Sequence, residues 1–232
     1  MIKVYKKINN NSTIKTIFNK IYKKEPNNVF LSSGVLTNNK VREYTYKEVK
    51  ELVNINIRFF KKHNLILGDR VAVMMGNNPE FFIIKLSLNL LGLSCVPINN
   101  ELTEKEITFI LKNSKPRYII CIQKHFDIIN NILSTQKLNL GIIEFASNSL
   151  KLIRKNKKYI KKTSTKLVGK SESSILYTSG TTGIPKGCIL CHAYEVNAGY
   201  VYAKKKGLIS FKDGEERLYN CLPVHHVNAG VL

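Results

Sequence analysis

The sequence has few acidic residues, few arginines and no long apolar run. There are 16 Asp and Glu against 37 Lys and Arg, so the formal net charge is +21. A membrane-spanning helix needs roughly 18–20 consecutive apolar residues, whereas the longest candidate runs only from Phe81 to Leu93 and contains Lys85. The N-terminus becomes polar at Asn9 before the apolar core of a signal peptide can form. We therefore expect no integral membrane segment and a cytoplasmic protein whose five cysteines are reduced thiols.

The shortage of arginine argues against a nucleic-acid partner as the reason for the positive charge. Only six of the 37 basic residues are arginine, the side chain that reads guanine with two parallel hydrogen bonds and stacks on bases. The lysines are spread along the chain among many Asn and Ile residues, which is typical of a bias in overall composition. The densest basic run, residues 151–170, is interpreted as a solvated linker, with contact to a nucleic acid or an acidic membrane as the alternative. We expect no nucleic-acid partner.

Composition and patterning divide the chain into two parts. Residues 1–40 are basic, rich in Asn and weakly patterned, and we interpret them as a basic N-terminal segment. Residues 41–232 carry regular patterning, interrupted by the basic linker predicted over 150–172. Hydrophobic residues make up 44% of the sequence, which is enough for a sizeable buried core.

Helical and strand patterns alternate from Tyr44 onward. Thr45 and Thr103 each stand three residues before a Glu, which is the capping box of a helix start. Pro79 suits the first position of a helix and Gly92 suits its end. This alternation predicts an α/β fold, a mostly parallel sheet with helices on both faces, whose ligands bind beyond the carboxyl ends of the strands. The predicted helices follow Thr45 or cover 79–91, 103–113, 127–133 and 192–205, and the predicted strands cover 70–75, 94–98, 117–122, 140–144, 174–177 and 218–222.

A glycine-rich and hydroxyl-rich loop follows the predicted strand 174–177. Residues 178–187 hold three Gly, four Ser or Thr and one Lys. Glycine lets the backbone approach a ligand closely, and successive amide N–H groups can then surround an anion. The common nucleotide loop does not fit, because Pro185 stands five residues after Gly180, where that pattern requires another Gly. The loop predicts a phosphate-binding site, with a flexible surface loop as the alternative.

Three segments resemble one family of enzymes. Residues 177–187 resemble, over all eleven positions, the signature of the adenylate-forming (AMP-binding) superfamily, which includes the acyl-CoA synthetases. Residues 68–99 resemble the first strand–helix–strand unit of that family, and residues 222–228 resemble its next motif. The resemblance covers roughly residues 44–232 and is nearest to acyl-CoA synthetases. It implies that the chain is the N-terminal portion of the large domain of an AMP-binding enzyme.

The resemblance implies a two-step reaction. A small-molecule carboxylic acid, with a fatty acid as one candidate, attacks the α-phosphorus of ATP, and coenzyme A then displaces AMP from the acyl-adenylate. ATP, Mg²⁺ and coenzyme A are the implied cofactors. Lys186 and His226 are the implied catalytic residues, and His226 and Asn228 would line the acid pocket. The implied phosphate-binding residues are Thr178, Ser179, Gly180, Thr181, Thr182, Gly183 and Lys186.

The later motifs of the family are missing from this sequence. These are the acidic ATP-binding segments, the hinge and the small C-terminal domain with its lysine. We therefore expect a fragment of an acyl-CoA synthetase that does not complete the reaction alone. The alternative is a catalytically incomplete nucleotide-binding module, or a truncated gene product that needs a partner half.

The spacing of Cys188, Cys191 and His192 also fits the C-x-x-C-H pattern of haem attachment. The pattern overlaps the end of the phosphate loop, and no second C-x-x-C accompanies it to form a zinc site. A redox C-x-x-C is a further alternative. We interpret these cysteines as small apolar residues at a helix start.

Overall fold

The computed structural model describes residues 11–37, 40–156, 166–178, 185–204 and 218–226. Six α-helices and nine strands are present in these ranges. The helices are α1 (Ile14–Lys24), α2 (Tyr46–Lys62), α3 (Pro79–Leu91), α4 (Glu104–Ser114), α5 (Phe126–Thr135) and α6 (His192–Ala203). The strands are β1 (Val29–Thr37), β2 (Lys40–Thr45), β3 (Arg70–Met74), β4 (Ser94–Pro97), β5 (Tyr118–Cys121), β6 (Gly141–Ala146), β7 (Ser149–Arg154), β8 (Glu172–Thr178) and β9 (Lys186–Cys191).

Seven strands form the central sheet, in the order β7-β6-β5-β3-β4-β8-β9. The five inner strands are parallel, while β7 and β9 pair antiparallel at the two edges. β1 and β2 form a separate antiparallel pair. The predicted α/β fold with a mostly parallel sheet is therefore confirmed.

Side chains alternate between two cores on opposite faces of this sheet. Ala72 and Met74 of β3 pack with α4 and α5, whereas Val71 and Val73 of the same strand pack with α3. Burial on both faces explains why these strands are apolar runs without alternation. A third cluster joins α1, α2 and α3.

The ends of the central helices follow local sequence signals. The Thr45 and Thr103 side chains each accept a hydrogen bond from the backbone N–H three residues later. In return, the Glu48 and Glu106 carboxylates accept from the backbone N–H groups of Thr45 and Thr103. Pro79 opens α3, and Gly92 ends it in the left-handed conformation at φ 81°. The predicted starts of α2, α3 and α4 are confirmed.

Five elements differ from the sequence predictions. Residues 11–37 contain α1 and β1, although the first 40 residues show only weak patterning. β7 occupies the start of the predicted basic linker and pairs with β6, and β9 separates the glycine-rich loop from α6. Residues 218–222 form no strand, so that prediction is wrong. Pro223 cannot donate to a strand ladder, and the backbone around it bonds instead to the Asn77 side chain.

No helix in the described ranges is both long and apolar enough to cross a membrane.

Candidate functional site

The carboxyl ends of β3, β4 and β8 lie along one edge of the sheet, because these three strands are parallel neighbours. β3 is followed by Met75, Gly76 and Asn77, and β4 is followed by Ile98 and Asn99. β8 runs directly into the glycine-rich loop. Neighbouring strands are separated by about 4.8 Å, so the ends of β3 and β8 lie on the order of 10 Å apart. A ligand that spans this distance can contact both loops.

The glycine-rich loop joins the two strands of a β-hairpin. Thr178 pairs with Lys186, and Tyr177 pairs with Gly187, across the antiparallel β8–β9 ladder. The two ends of the family signature are therefore neighbours, and the threonine hydroxyl and the lysine ammonium belong to one pair of residues at the base of the loop. Ser179, Gly180, Thr181, Thr182 and Gly183 lie outside the described residues. Their predicted phosphate contacts stay predictions.

The Tyr177–Gly187 pair, which joins the first and last residues of the signature, is closely packed. A Cβ atom added to Gly187 would lie 3.0 Å from Cζ of Tyr177 and 3.2 Å from Cγ2 of Ile175. The Tyr177 hydroxyl donates a hydrogen bond of 2.6 Å to Asn113 Oδ1 on α4. The Tyr177 ring is fixed at one end by the backbone of β8 and at the other by this hydrogen bond. Because the ring lies so close to residue 187, only a glycine fits there without a shift.

A second signature segment, residues 222–226, reaches the same edge through Asn77. The Asn77 Nδ2 group donates to the Leu222 carbonyl at 3.1 Å, and Oδ1 accepts from the Val224 N–H at 2.9 Å. The Val224 side chain is only 5% exposed and packs in the core formed with α3. The segment is therefore anchored both by a polar pair and by a buried apolar side chain.

The two histidines of this segment differ in exposure. Their ring centroids lie 4.5 Å apart, with His225 half-buried and His226 exposed. Burial lowers the pKa of His225, the neighbouring His226 lowers it further, and Glu101 opposes this with a smaller rise. His225 is therefore a neutral imidazole near pH 7, able both to accept and to donate a hydrogen bond. Asn228, the other predicted pocket residue, lies outside the described residues.

Asn100 lies at the carboxyl end of the sheet as well. A Cβ atom on Gly76 would lie 2.6 Å from Asn100 Nδ2, and Gly76 has a φ of 72°. The glycine therefore allows the loops after β3 and β4 to approach each other. Among the described residues Asn100 Oδ1 is buried and has no hydrogen-bond partner. A buried acceptor of this kind is costly unless a ligand or a water satisfies it.

Sequence reasoning identified Thr178, Lys186 and His226, but it missed Asn77 and Asn100. Both asparagines stand just beyond the carboxyl end of a buried parallel strand, where ligands bind in open α/β sheets. Their positions after predicted strands therefore indicated that they could belong to the site. The contact of Asn77 with residues 222–224 could not be predicted in this way, because it joins groups that lie 145 and 147 residues apart.

The interpretation of the cysteines is partly wrong. Cys191 does stand at the start of α6, but Cys188 is an exposed residue inside β9. The strand between the loop and the helix was not recognised from the sequence. No cluster of three or more potential metal ligands occurs among the residues that the structure describes.

Residues 18–232 match the AMP-binding enzyme family, so the chain belongs to that family. This match begins before residue 44, where the resemblance in the sequence became recognisable. The chain is 27% identical over 208 residues to the crotonobetaine/carnitine–CoA ligase of Proteus mirabilis, covering 82% of this chain and 38% of that protein. It is 28% identical over 170 residues to the ligase of the same name from Citrobacter koseri, covering 69% and 33%. The chain thus spans well under half the length of these curated relatives.

Solved structures support the same fold. The N-terminal domain of FACL13 from Mycobacterium tuberculosis, solved with an inhibitor, is similar with a TM-score of 0.71 and 24% identity, over 94% of this chain and 53% of that one. The O-succinylbenzoate coenzyme A synthetase of Bacillus subtilis, solved with AMP, gives a TM-score of 0.72 and 18% identity, over 92% and 51%. At these identities the likeness concerns the fold alone.

Proposed function

We propose that this chain is the part of an adenylate-forming ligase that holds the phosphates of ATP and contributes one side of the acid pocket. The observation that carries the proposal is a shared location. The hairpin that bears Thr178 and Lys186 and the segment that bears His225 and His226 lie at one edge of the sheet. Family membership supports a chemistry that needs a nucleotide and an acid side by side.

The residues at the hairpin base suit a polyphosphate. Lys186 supplies a positive charge and Thr178 a hydroxyl donor, and the glycines between them free backbone N–H groups to surround an anion. Charge-assisted hydrogen bonds contribute roughly 1.5–3 kcal/mol each. In this proposal Mg²⁺ shares the phosphate charge and Ser179 to Gly183 complete the loop. The protein acts by positioning and by electrostatic stabilisation.

The histidine segment suits the acid end of the site. The proposal places the acid next to His226 and Asn228, with His225 contributing a more polar wall than an aliphatic residue would. After adenylation, coenzyme A is the proposed acceptor, as the names of the curated relatives suggest. Crotonobetaine, carnitine and fatty acids are the first acids to test. A cytoplasmic site of action is part of the same proposal.

The binding half of the proposal is tested by titrating the chain with Mg·ATP in a calorimeter. Lys186→Ala should weaken binding at least tenfold, because a charged donor to phosphate is lost. Lys151→Ala is the matched control, since Lys151 is an exposed lysine in the opposite edge strand β7. Equal affinity of the Lys186→Ala variant and the parent chain would reject the phosphate site.

The catalytic half is tested by ATP–pyrophosphate exchange with the acids named above. We expect the 232-residue chain to bind ATP without exchanging pyrophosphate, because the later motifs of the family are missing from its sequence. Exchange above background would show that the chain completes adenylation alone. Addition of a polypeptide with the missing motifs should restore exchange if the chain works as one half of a ligase.

A further inference from the structure

Asn77 makes a contact that none of the proposed chemistry uses. Its side-chain amide forms two hydrogen bonds with the backbone on either side of Pro223, one as donor and one as acceptor. This is the pairing that a neighbouring strand would make. Pro223 itself has no N–H to offer, so a side-chain amide can satisfy groups that a regular strand ladder could not.

We propose that Asn77 is a positioning residue that fixes where the His225 and His226 imidazoles stand at the carboxyl edge of the sheet. The inference rests on the proposed function only for its consequence in the acid pocket. The contact itself is independent of which acid, or whether any acid, is bound.

Three features make the placement rigid. Asn77 directly follows the loop residue Gly76, and Gly76 is pressed against the Asn100 side chain. Val224, whose N–H donates to Asn77, is buried in the core beside α3. Two residues after Val224, the backbone N–H of His226 donates to the Pro223 carbonyl at 2.9 Å, which closes a turn. The first residue of this turn, Pro223, thus lies between the two residues whose backbone groups bond to Asn77.

The groups around His225 give this placement a measurable signature. Burial and His226 lower the pKa of His225, and Glu101 on the loop after β4 opposes them. The burial and the influence of Glu101 depend on the segment lying against the rest of the protein, whereas His226 is the next residue in the chain and stays close in any case. If Asn77 no longer held the segment, His225 would become solvated and its pKa would rise towards the ordinary value of about 6.5.

The proposal is tested on the full 232-residue chain by NMR, with no ligand added. Asn77→Ala should speed amide hydrogen exchange at Val224 by about 10- to 100-fold, because two hydrogen bonds are lost. The ring signals of His225 and His226 should move towards those of free histidine, and the titration midpoint of His225 should rise. The Ala72 amide in β3 should keep its protection. Asn54→Ala, a change at an exposed position of α2, is the matched control and should alter none of these signals.

A second variant keeps the test decisive if Asn77→Ala does not fold. Asn77→Asp retains an oxygen that can accept from the Val224 N–H but removes the donor to the Leu222 carbonyl. It should therefore protect Val224 better than Asn77→Ala does, while still shifting both histidine signals. Unchanged histidine signals and unchanged Val224 exchange in a folded Asn77 variant would overturn the inference. Absence of ATP binding in the parent chain would instead overturn the proposed function and leave the role of Asn77 standing.

Discussion

The two ends of the central sheet use their polar groups in opposite ways. At the amino end, Arg117 donates to Asp69 at 2.7 Å, and Arg70 forms two hydrogen bonds of 2.8 Å to Glu172. At the carboxyl end, Asn77 donates to the Leu222 carbonyl, and among the described residues Asn100 Oδ1 has no hydrogen-bond partner. Lys186 pairs with Thr178 across the hairpin. The amino end joins opposite charges to each other, whereas the carboxyl end carries amides, a hydroxyl and a cation where the ligand site is proposed.

This difference has a physical reason. Ion pairs at the amino end join residues that begin three parallel strands, so they fix the strands relative to one another. At the carboxyl end a fully paired set of charges would leave nothing for a ligand to bind. Substitutions of the paired charges at the amino end should therefore alter stability and leave nucleotide affinity unchanged, and substitutions of the exposed Lys186 at the carboxyl end should do the reverse.

Asp69→Ala gives the largest expected loss of stability. Asp69 is buried and Arg117 is mostly buried, with 7% and 12% of their side chains exposed, and removal of the carboxylate leaves the arginine charge without its acidic partner. We expect a loss of about 3–5 kcal/mol in the free energy of unfolding in urea. Mg·ATP affinity of the folded variant should match that of the parent.

Lys24→Ala is the comparison for this variant. Lys24 and Glu25 form an exposed pair, with 52% and 34% of their side chains exposed, and exposed pairs contribute little. A loss below about 0.5 kcal/mol is expected. Similar losses for Asp69→Ala and Lys24→Ala would show that the Asp69–Arg117 pair stabilises the amino end no more than an exposed pair does.

The amino end should also respond to acid through His192. This fully buried imidazole opens α6, and burial lowers its pKa to about 4. Its Nδ1 accepts from the Ile14 N–H at 3.4 Å, so the neutral form is the one that fits. Between pH 6.5 and 4 the unfolded chain binds a proton here that the folded chain does not, so stability falls as the pH falls.

A shift of this size corresponds to about 3 kcal/mol lost by pH 4. Urea unfolding at several pH values checks it. His192→Gln should flatten the slope between pH 6.5 and 4, whereas His63→Gln, at a half-buried position on the end of α2, should retain most of it. A steep slope that persists in His192→Gln would assign the acid sensitivity to other groups.

Those parts of the fold that depend on residues close together in the sequence could be predicted from it. The capping boxes at Thr45 and Thr103 and the Pro79 and Gly92 pair each act within one turn, so α2, α3 and α4 were predicted closely. α1 was missed because its capping box uses Thr16 in place of an acidic residue. The apolar residues of α1 do recur at helical spacing, at Ile14, Ile17, Phe18, Ile21 and Tyr22, so a periodic signal was present and was overlooked. The buried Phe18 packs against Phe30 and Tyr46.

The candidate site was predicted in its residue types and not in its geometry. Recognition of the signature identified Thr178 and Lys186, but the hairpin that makes them a pair depends on β9. That strand contains only one charged residue and two cysteines, a weak strand pattern. The strand predicted near residues 218–222 is absent, and the Leu222 carbonyl accepts instead from the side chain of Asn77, 145 residues earlier. A single sequence does not contain that pairing.

Lys186→Ala is the carboxyl-end counterpart of Asp69→Ala. Loss of a charged donor to phosphate should weaken Mg·ATP binding by about 1.5–3 kcal/mol, whereas the free energy of unfolding should change by less than about 0.5 kcal/mol because the side chain is exposed. Calorimetric titration and urea unfolding of the same sample measure both. A variant that loses stability and keeps its affinity would assign Lys186 to the structural group.

The smallest effect is expected at Gly187, where the hairpin of the carboxyl end is packed most closely. A methyl group there would meet the Tyr177 ring at 3.0 Å, and the ring cannot retreat freely because its hydroxyl bonds to Asn113. Gly187→Ala should therefore cost about 1 kcal/mol of stability. Gly199→Ala is the matched change in α6, where nothing lies within 4 Å of the new methyl group, and it should stabilise by up to about 1 kcal/mol. Thermal unfolding of the two variants should give shifts of opposite sign. Stabilisation by both changes would show that the ring of Tyr177 yields to the new methyl group.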